Sequence, residues 1–168
     1  MKKYIYLGIL TTFSLVLSLF EQMINLSIMI PGAKIGLSNI IILSIIALYS
    51  MKDGLFVALL KSFLLMLLTG SVTGFFYSVS GGIISVLVMG LAYEYFRKYL
   101  SFIGISVLGS ISHLLSQMVV ARYVLGTNKI FVYFPILTMV GIPTGIVVGI
   151  MAHFLTKHLR NLLKAGIH

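Results

Sequence analysis

Apolar residues fall into six runs separated by short polar breaks: approximately Tyr4 to Phe20, Ile35 to Met51, Gly54 to Thr69, Phe75 to Phe96, Phe102 to Arg122 and Leu137 to Thr156. A helix crosses the hydrocarbon core of a bilayer with about 20 apolar residues, and roughly 17 suffice. The pattern predicts an all-α fold, a polytopic bundle of six transmembrane helices making one integral membrane domain over residues 1–168. The third run is short, and Pro143 stands inside the sixth. The first run follows Lys2 and Lys3 as a signal peptide would, but it meets Glu21 without a small-residue cleavage pattern. A retained helix is therefore expected.

The breaks set an orientation. With both termini in the cytoplasm, Lys2, Lys3, Lys52, Arg97, Lys98, Lys157, Arg160 and Lys164 lie inside, while Lys34, Arg122 and Lys129 lie at or beyond the outer face. Basic residues collect on the cytoplasmic side of membrane proteins. The expected location is the cell membrane, multi-pass, with both termini cytoplasmic. The longest break, Glu21 to Lys34, is read as an outer loop that holds Asn25, Ser27, Pro31 and Gly32 among apolar residues. Two readings of it stand, a lid or re-entrant segment over a site and a short interfacial helix. Phe131, Tyr133, Phe134 and Pro135 read as an aromatic belt before the last helix.

Composition removes the soluble alternatives. Hydrophobic residues make up 60% of the chain and charged residues 9%, against about 25% charged in an ordinary soluble domain; mean hydropathy is +1.13. The net charge of +9 sits in short stretches between apolar runs, so membrane lipid rather than nucleic acid is the expected partner. With no cysteine there is neither a disulfide nor a thiolate site. The acids are Glu21, Asp53 and Glu94, isolated from one another along the chain. Prenyl or phosphoryl transfer needs clustered carboxylates to hold magnesium, so no enzyme activity, metal or cofactor is expected of this chain. His113, His153, His158 and His168 show no zinc-protease spacing, and no GxxxxGK[ST] loop occurs. Any ATP-driven work then belongs to another subunit.

Candidate chemistry lies inside the runs. On the fifth helix Ser106, Ser110, His113 and Gln117 recur at steps of four, three and four, which makes one polar stripe. The stripe either lines a ligand cavity or hydrogen-bonds helices together. On the second helix Lys34 and Ser38 are one turn apart and Asn39 stands at the same end. Lys34 either binds a ligand or snorkels to headgroups. Lys61 lies near the centre of the third run, where a charge is a functional candidate by default. Its partner is a bound anion, a backbone carbonyl, or a polar group such as Ser110 or Gln117, since Asp53 is the only acid nearby in sequence. On that reading Lys61→Met leaves the empty chain as stable or more stable. Gly141, Gly145 and Gly149 predict close helix packing, Ser14 with Ser18 and Ser78 with Gly82 a weaker version of it, and Glu94 is expected to pair with Arg97 or Lys98.

The stretch Pro31-Gly-Ala-Lys-Ile-Gly-Leu-Ser-Asn-Ile40, the charged residue in the third helix, Ser80-Gly-Gly82, and Gly104-Ile-Ser-Val107 leading to His113 and Gln117 together resemble the Gx transporter family. That family is also labelled heptaprenyl diphosphate synthase component I, and its architecture is similar to the substrate-binding S components of energy-coupling factor transporters. The resemblance covers roughly Leu7 to His153. It implies a substrate-binding subunit for uptake of a small, anionic, partly apolar metabolite such as an isoprenoid or quinone precursor. A coupling membrane subunit and ATPases would energise it; the label itself implies instead a membrane accessory of prenyl diphosphate synthesis. Substrate would meet Lys34, Asn39, Lys61, Ser110, His113 and Gln117. Family members often carry arginine where Lys61 stands. S components dock on their coupling subunit through small residues of the first helix, for which Ser14 and Ser18 are the nearest match.

Overall fold

The computed structural model describes residues 2–23 and 36–165. Six α-helices follow one another: α1 (Lys2–Met23), α2 (Asn39–Leu48), α3 (Met51–Thr69), α4 (Val72–Phe96), α5 (Phe102–Leu125) and α6 (Phe134–Ala165), with a 3₁₀ segment Asn128–Tyr133 before the last. Four helical stretches are long and apolar enough to cross a membrane: Lys3–Met23, Val72–Phe96, Phe102–Leu125 and Asn128–Leu163. The nineteen-residue α3 is also long enough, but it carries Lys52, Asp53 and Lys61. The ten-residue α2 is about 15 Å long, half of a hydrocarbon core.

Local chemistry sets the helix ends. Ser50, Ser71 and Ser101 accept the N–H of the residue three positions on, Asp53, Gly74 and Gly104, which satisfies a donor the helix leaves free. Gly70 and Gly126 close α3 and α5 in the left-handed region, at φ +67° and +66°. The sixth helix runs through Pro143 for 32 residues.

The organising element is α2. Its sequence is apolar on every side, Asn39 to Ile46 are all buried, and it touches each of the other five α-helices. A short helix of this kind is buried on every side and covers about half of a hydrocarbon core. Around it, α3, α4, α5 and α6 pack in chain order, while α1 lies against α2 and α3. Ser62 and Ser78 hydrogen-bond at 2.8 Å between α3 and α4. Lys3 pairs with Asp53 at 2.8 Å, tying the start of α1 to the start of α3. Among the described residues Glu94 forms no ion pair with Arg97 or Lys98, contrary to expectation.

Glycine brings α6 onto α5. A β-carbon at Gly145 would lie 2.7 Å from Val107 Cα, and one at Gly149 would lie 2.6 Å from Ile103 Cα. The two backbones touch directly, so the neighbour of these small residues is this same chain. Ser78 and Gly82 likewise face α3, at Ser62 and Ala58. Ser14 and Ser18 are buried, at 0% and 1% exposure. The outward face of α1 carries Ile9, Phe13, Val16 and Phe20 instead.

Candidate functional site

The polar residues of the bundle interior gather where α2 begins. Gly36 adopts φ +88°, a conformation that favours glycine. Asn39 N then donates to Gly36 O at 2.9 Å, and Ile40 N to Leu37 O at 3.0 Å, which winds the chain into α2. A side chain at Gly36 would also collide with its surroundings: a β-carbon there would stand 2.9 Å from Asn39 Nδ2 and 3.6 Å from His113 Cδ2. The turn is thus glycine for its angle and for its neighbours.

Three helices send side chains to this turn. From α3, the buried Lys61 donates from Nζ to Ser38 Oγ at 2.9 Å. From α1, Glu21 accepts the Gly36 N–H through Oε1. From α5, His113 lays its ring between Gly36 and Gly81 of α4, where a β-carbon would lie 2.6 Å from ring atom Cε1. Gln117, one turn further along α5, has Nε2 at 3.0 Å from His113 Nε2, so its amide N–H donates to the ring. Asn39 completes the cluster. It is 1% exposed, and neither its Nδ2 nor its Oδ1 has a hydrogen-bond partner among the described residues.

Depth makes this arrangement chemically loaded. Lys61 is about 15 Å along α3 from Met51, and Asn39 about 14 Å along α2 from Leu48, each about half the thickness of a hydrocarbon core. A helix N-terminus carries roughly half a positive charge. A half-length helix that starts inside the bundle aims that charge into the interior, as discontinuous helices do at anion sites. Ammonium, amide and helix terminus all favour a negative group. The apolar side chains around them suit an apolar body beside it.

The sequence-predicted residues divide. Asn39, Lys61, His113 and Gln117 come together at the turn. Ser110 does not join them: it turns toward α6, with its Oγ 3.1 Å from where a Gly145 β-carbon would be. Ser106 lies on the face of His113, buried and with its hydroxyl unpartnered. Lys34 lies outside the described residues. The residue the sequence reading missed is Glu21. It was expected in the outer loop, yet α1 continues past it to Met23 and buries it at 5% exposure. The first charge after an apolar run reads as the end of a helix. Lys61 consequently has an acid at the same turn, forty residues away in sequence. A concavity of about 330 Å³ opens at the other end of α2 beside Tyr49, Met51, Tyr93 and Arg97, and gathers none of the predicted site residues.

Among protein families, the model described as heptaprenyl diphosphate synthase component I matches residues 10–155. No curated protein matches the chain. Nor does any solved structure.

Proposed function

This chain belongs to the heptaprenyl diphosphate synthase component I family, and from that premise we propose that it is a membrane subunit that binds a small, anionic, partly apolar metabolite. Uptake of an isoprenoid or quinone precursor, driven by separate coupling and ATPase subunits, is the role that fits best. One observation carries the reading: the buried Lys61 meets the N-terminal turn of a half-length helix beside the unsatisfied side chain of Asn39. An unpaired buried amide is costly, and a ligand supplies what Asn39 lacks. The resemblance to S components supports the transport role. We assign no catalysis to the chain alone, because Glu21, Asp53 and Glu94 stand on α1, α3 and α4 and form no shared carboxylate cluster.

The family's description favours a second role, that of a membrane accessory in prenyl diphosphate synthesis whose soluble partner holds the catalytic carboxylates. Either way a component works with a partner. Native mass spectrometry of the purified chain is expected to find a retained small anion, and affinity purification from the native membrane an ATPase with a coupling protein. Recovery of a prenyl synthase subunit instead would select the accessory role. A chain that retains nothing under either preparation would remove the binding reading altogether.

We read the six helices as six crossings with both termini cytoplasmic, on the strength of the lysine and arginine asymmetry. A reporter fused after His168 should be active only inside the cell. Activity confined to the outside would reverse the orientation.

A further inference from the structure

Along one face of α6 the chemistry changes in a single direction. Ile146, Ile150, His153, Lys157 and Arg160 follow at steps of four, three, four and three, all of them exposed, and they stay within about 80° of the helix circumference. The stripe passes from aliphatic through imidazole to two cations. A helix face crossing a membrane boundary reads this way, because apolar side chains meet acyl chains and basic ones reach the headgroups. Ring contacts set the neighbouring helices at the same level. Phe102, which starts α5, lies edge-to-face with His153 at 5.3 Å and with Tyr93 of α4 at 5.9 Å. The exposed Tyr95 and Tyr99 stand at the end of α4 and just beyond it, as interfacial tyrosines do.

At that level a groove of about 280 Å³ opens between α5 and α6, lined by Ser101, Phe102, Ile103, Ile150, His153 and Phe154. Backbone already meets backbone at Gly149 and Ile103, so the two helices cannot approach further to fill it. Its size is below the roughly 300 to 1,000 Å³ that encloses a drug-sized molecule; it suits part of a chain and not a free metabolite. We propose that this groove is a specific site for an anionic phospholipid, whose acyl chain lies against Phe102, Ile103, Ile150 and Phe154 and whose phosphate meets His153 and Lys157. The inference goes beyond the ligand of the turn before α2 and does not depend on it.

Charge selects the class of lipid. No Asp or Glu follows Glu94 in the sequence, so α5 and α6 carry no acid. Asp53 is engaged by Lys3, Glu21 lies at the turn before α2, and Glu94 lines the concavity beside Tyr49 and Arg97. Among the described residues Lys157 and Arg160 form no ion pair. On the orientation read above, this end faces the cytoplasm, whose leaflet carries the anionic lipids, and basic pockets between helices there bind their headgroups. Each lysine or arginine near the surface is worth about fivefold in binding. The His153 ring adds an N–H donor for a phosphate oxygen. A choline lipid offers the same tail and phosphate but brings a cation that Lys157 and Arg160 repel.

The full chain is purified in detergent and equilibrated with equal amounts of palmitoyl-oleoyl phosphatidylglycerol and palmitoyl-oleoyl phosphatidylcholine, which share their acyl chains. Native mass spectrometry then counts what stays bound. Wild type should keep phosphatidylglycerol over phosphatidylcholine by about tenfold or more. Lys157→Gln should lower that preference about fivefold. Lys129→Gln removes an equal charge at the opposite end of α5 and α6 and should leave the preference unchanged. Ile150→Trp, which fills the groove from an exposed position, should lose the retained lipid while the unfolding temperature holds. Equal retention of the two lipids by wild type overturns the proposal. So does an equal loss in Lys157→Gln and Lys129→Gln, which would show attraction by net charge alone. Undiminished retention in Ile150→Trp puts the lipid elsewhere and overturns it too. Should Ile150→Trp fail to fold, the two lysine variants decide.

Discussion

Lys61→Met should abolish retention of an anionic ligand and should also destabilise the empty chain, by about 3 to 5 kcal/mol, the usual cost of breaking a buried charge pair by removing one partner. The second half reverses what the sequence suggests. With Asp53 as the only acid in view, Lys61 reads as an uncompensated charge whose removal is neutral or favourable. The structure supplies Glu21, bonded to Gly36 at the turn where Lys61 bonds to Ser38. Removing the lysine strands a buried carboxylate, and Ser38 Oγ loses its donor. The double variant Lys61→Met with Glu21→Gln removes both of these charges and should recover most of the lost stability while still failing to hold the ligand. Thermal unfolding in detergent reads the first quantity and mass spectrometry of retained anions the second. If Lys61→Met alone unfolds at the wild-type temperature, Glu21 is not the partner of Lys61.

What the sequence made legible was whatever depends on local pattern. Four of the six runs mark helices within three residues of their observed bounds, because an apolar run of spanning length admits little else. The sixth stops nine residues short of Ala165. The second run is the other exception. It is expected to be helical from Ile35 to Met51 and is observed from Asn39 to Leu48, since Gly36 takes a left-handed angle and Ser50 caps the next helix. Stripe periodicity on α5 gave His113 and Gln117 their common face, but four-three-four spacing also takes in Ser110, which lies about 60° from His113 and only about 20° from Gln117, so the wheel alone does not show that its hydroxyl turns toward α6. Where the sequence reading failed, the cause was distance along the chain. Nothing near Glu21 signals that it will meet Gly36, and nothing near Ser14 or Ser18 tells an inward face from a docking face. Both facts belong to the packing of α1 on α2 and α3.

Gly149→Leu should cost about 3 kcal/mol, the upper end of what overpacking usually does, without altering ligand affinity per folded molecule. A β-carbon at Gly149 meets Ile103 Cα at 2.6 Å, Phe102 O at 3.0 Å and Ile103 N at 3.1 Å, all of them backbone. Backbone cannot swing aside as a side chain does, so the whole of α6 must move off α5. In a membrane no hydrophobic force drives helices together, and close packing of small residues supplies much of the association; losing the Gly149 contact loosens Gly145 on Val107 as well. The ligand site should not notice. Ile103 and Val107 lie about 80° and 120° around α5 from His113, so the seam with α6 and the face toward Gly36 are separate. Ile150→Leu, at a partly exposed neighbouring position, is the control and should be near neutral. Thermal unfolding in detergent, paired with ligand retention normalised to folded protein, decides the matter. A Gly149→Leu chain as stable as wild type would mean that α5 and α6 do not touch through their backbones. A stable chain that loses its ligand would mean that the seam and the site are one structure.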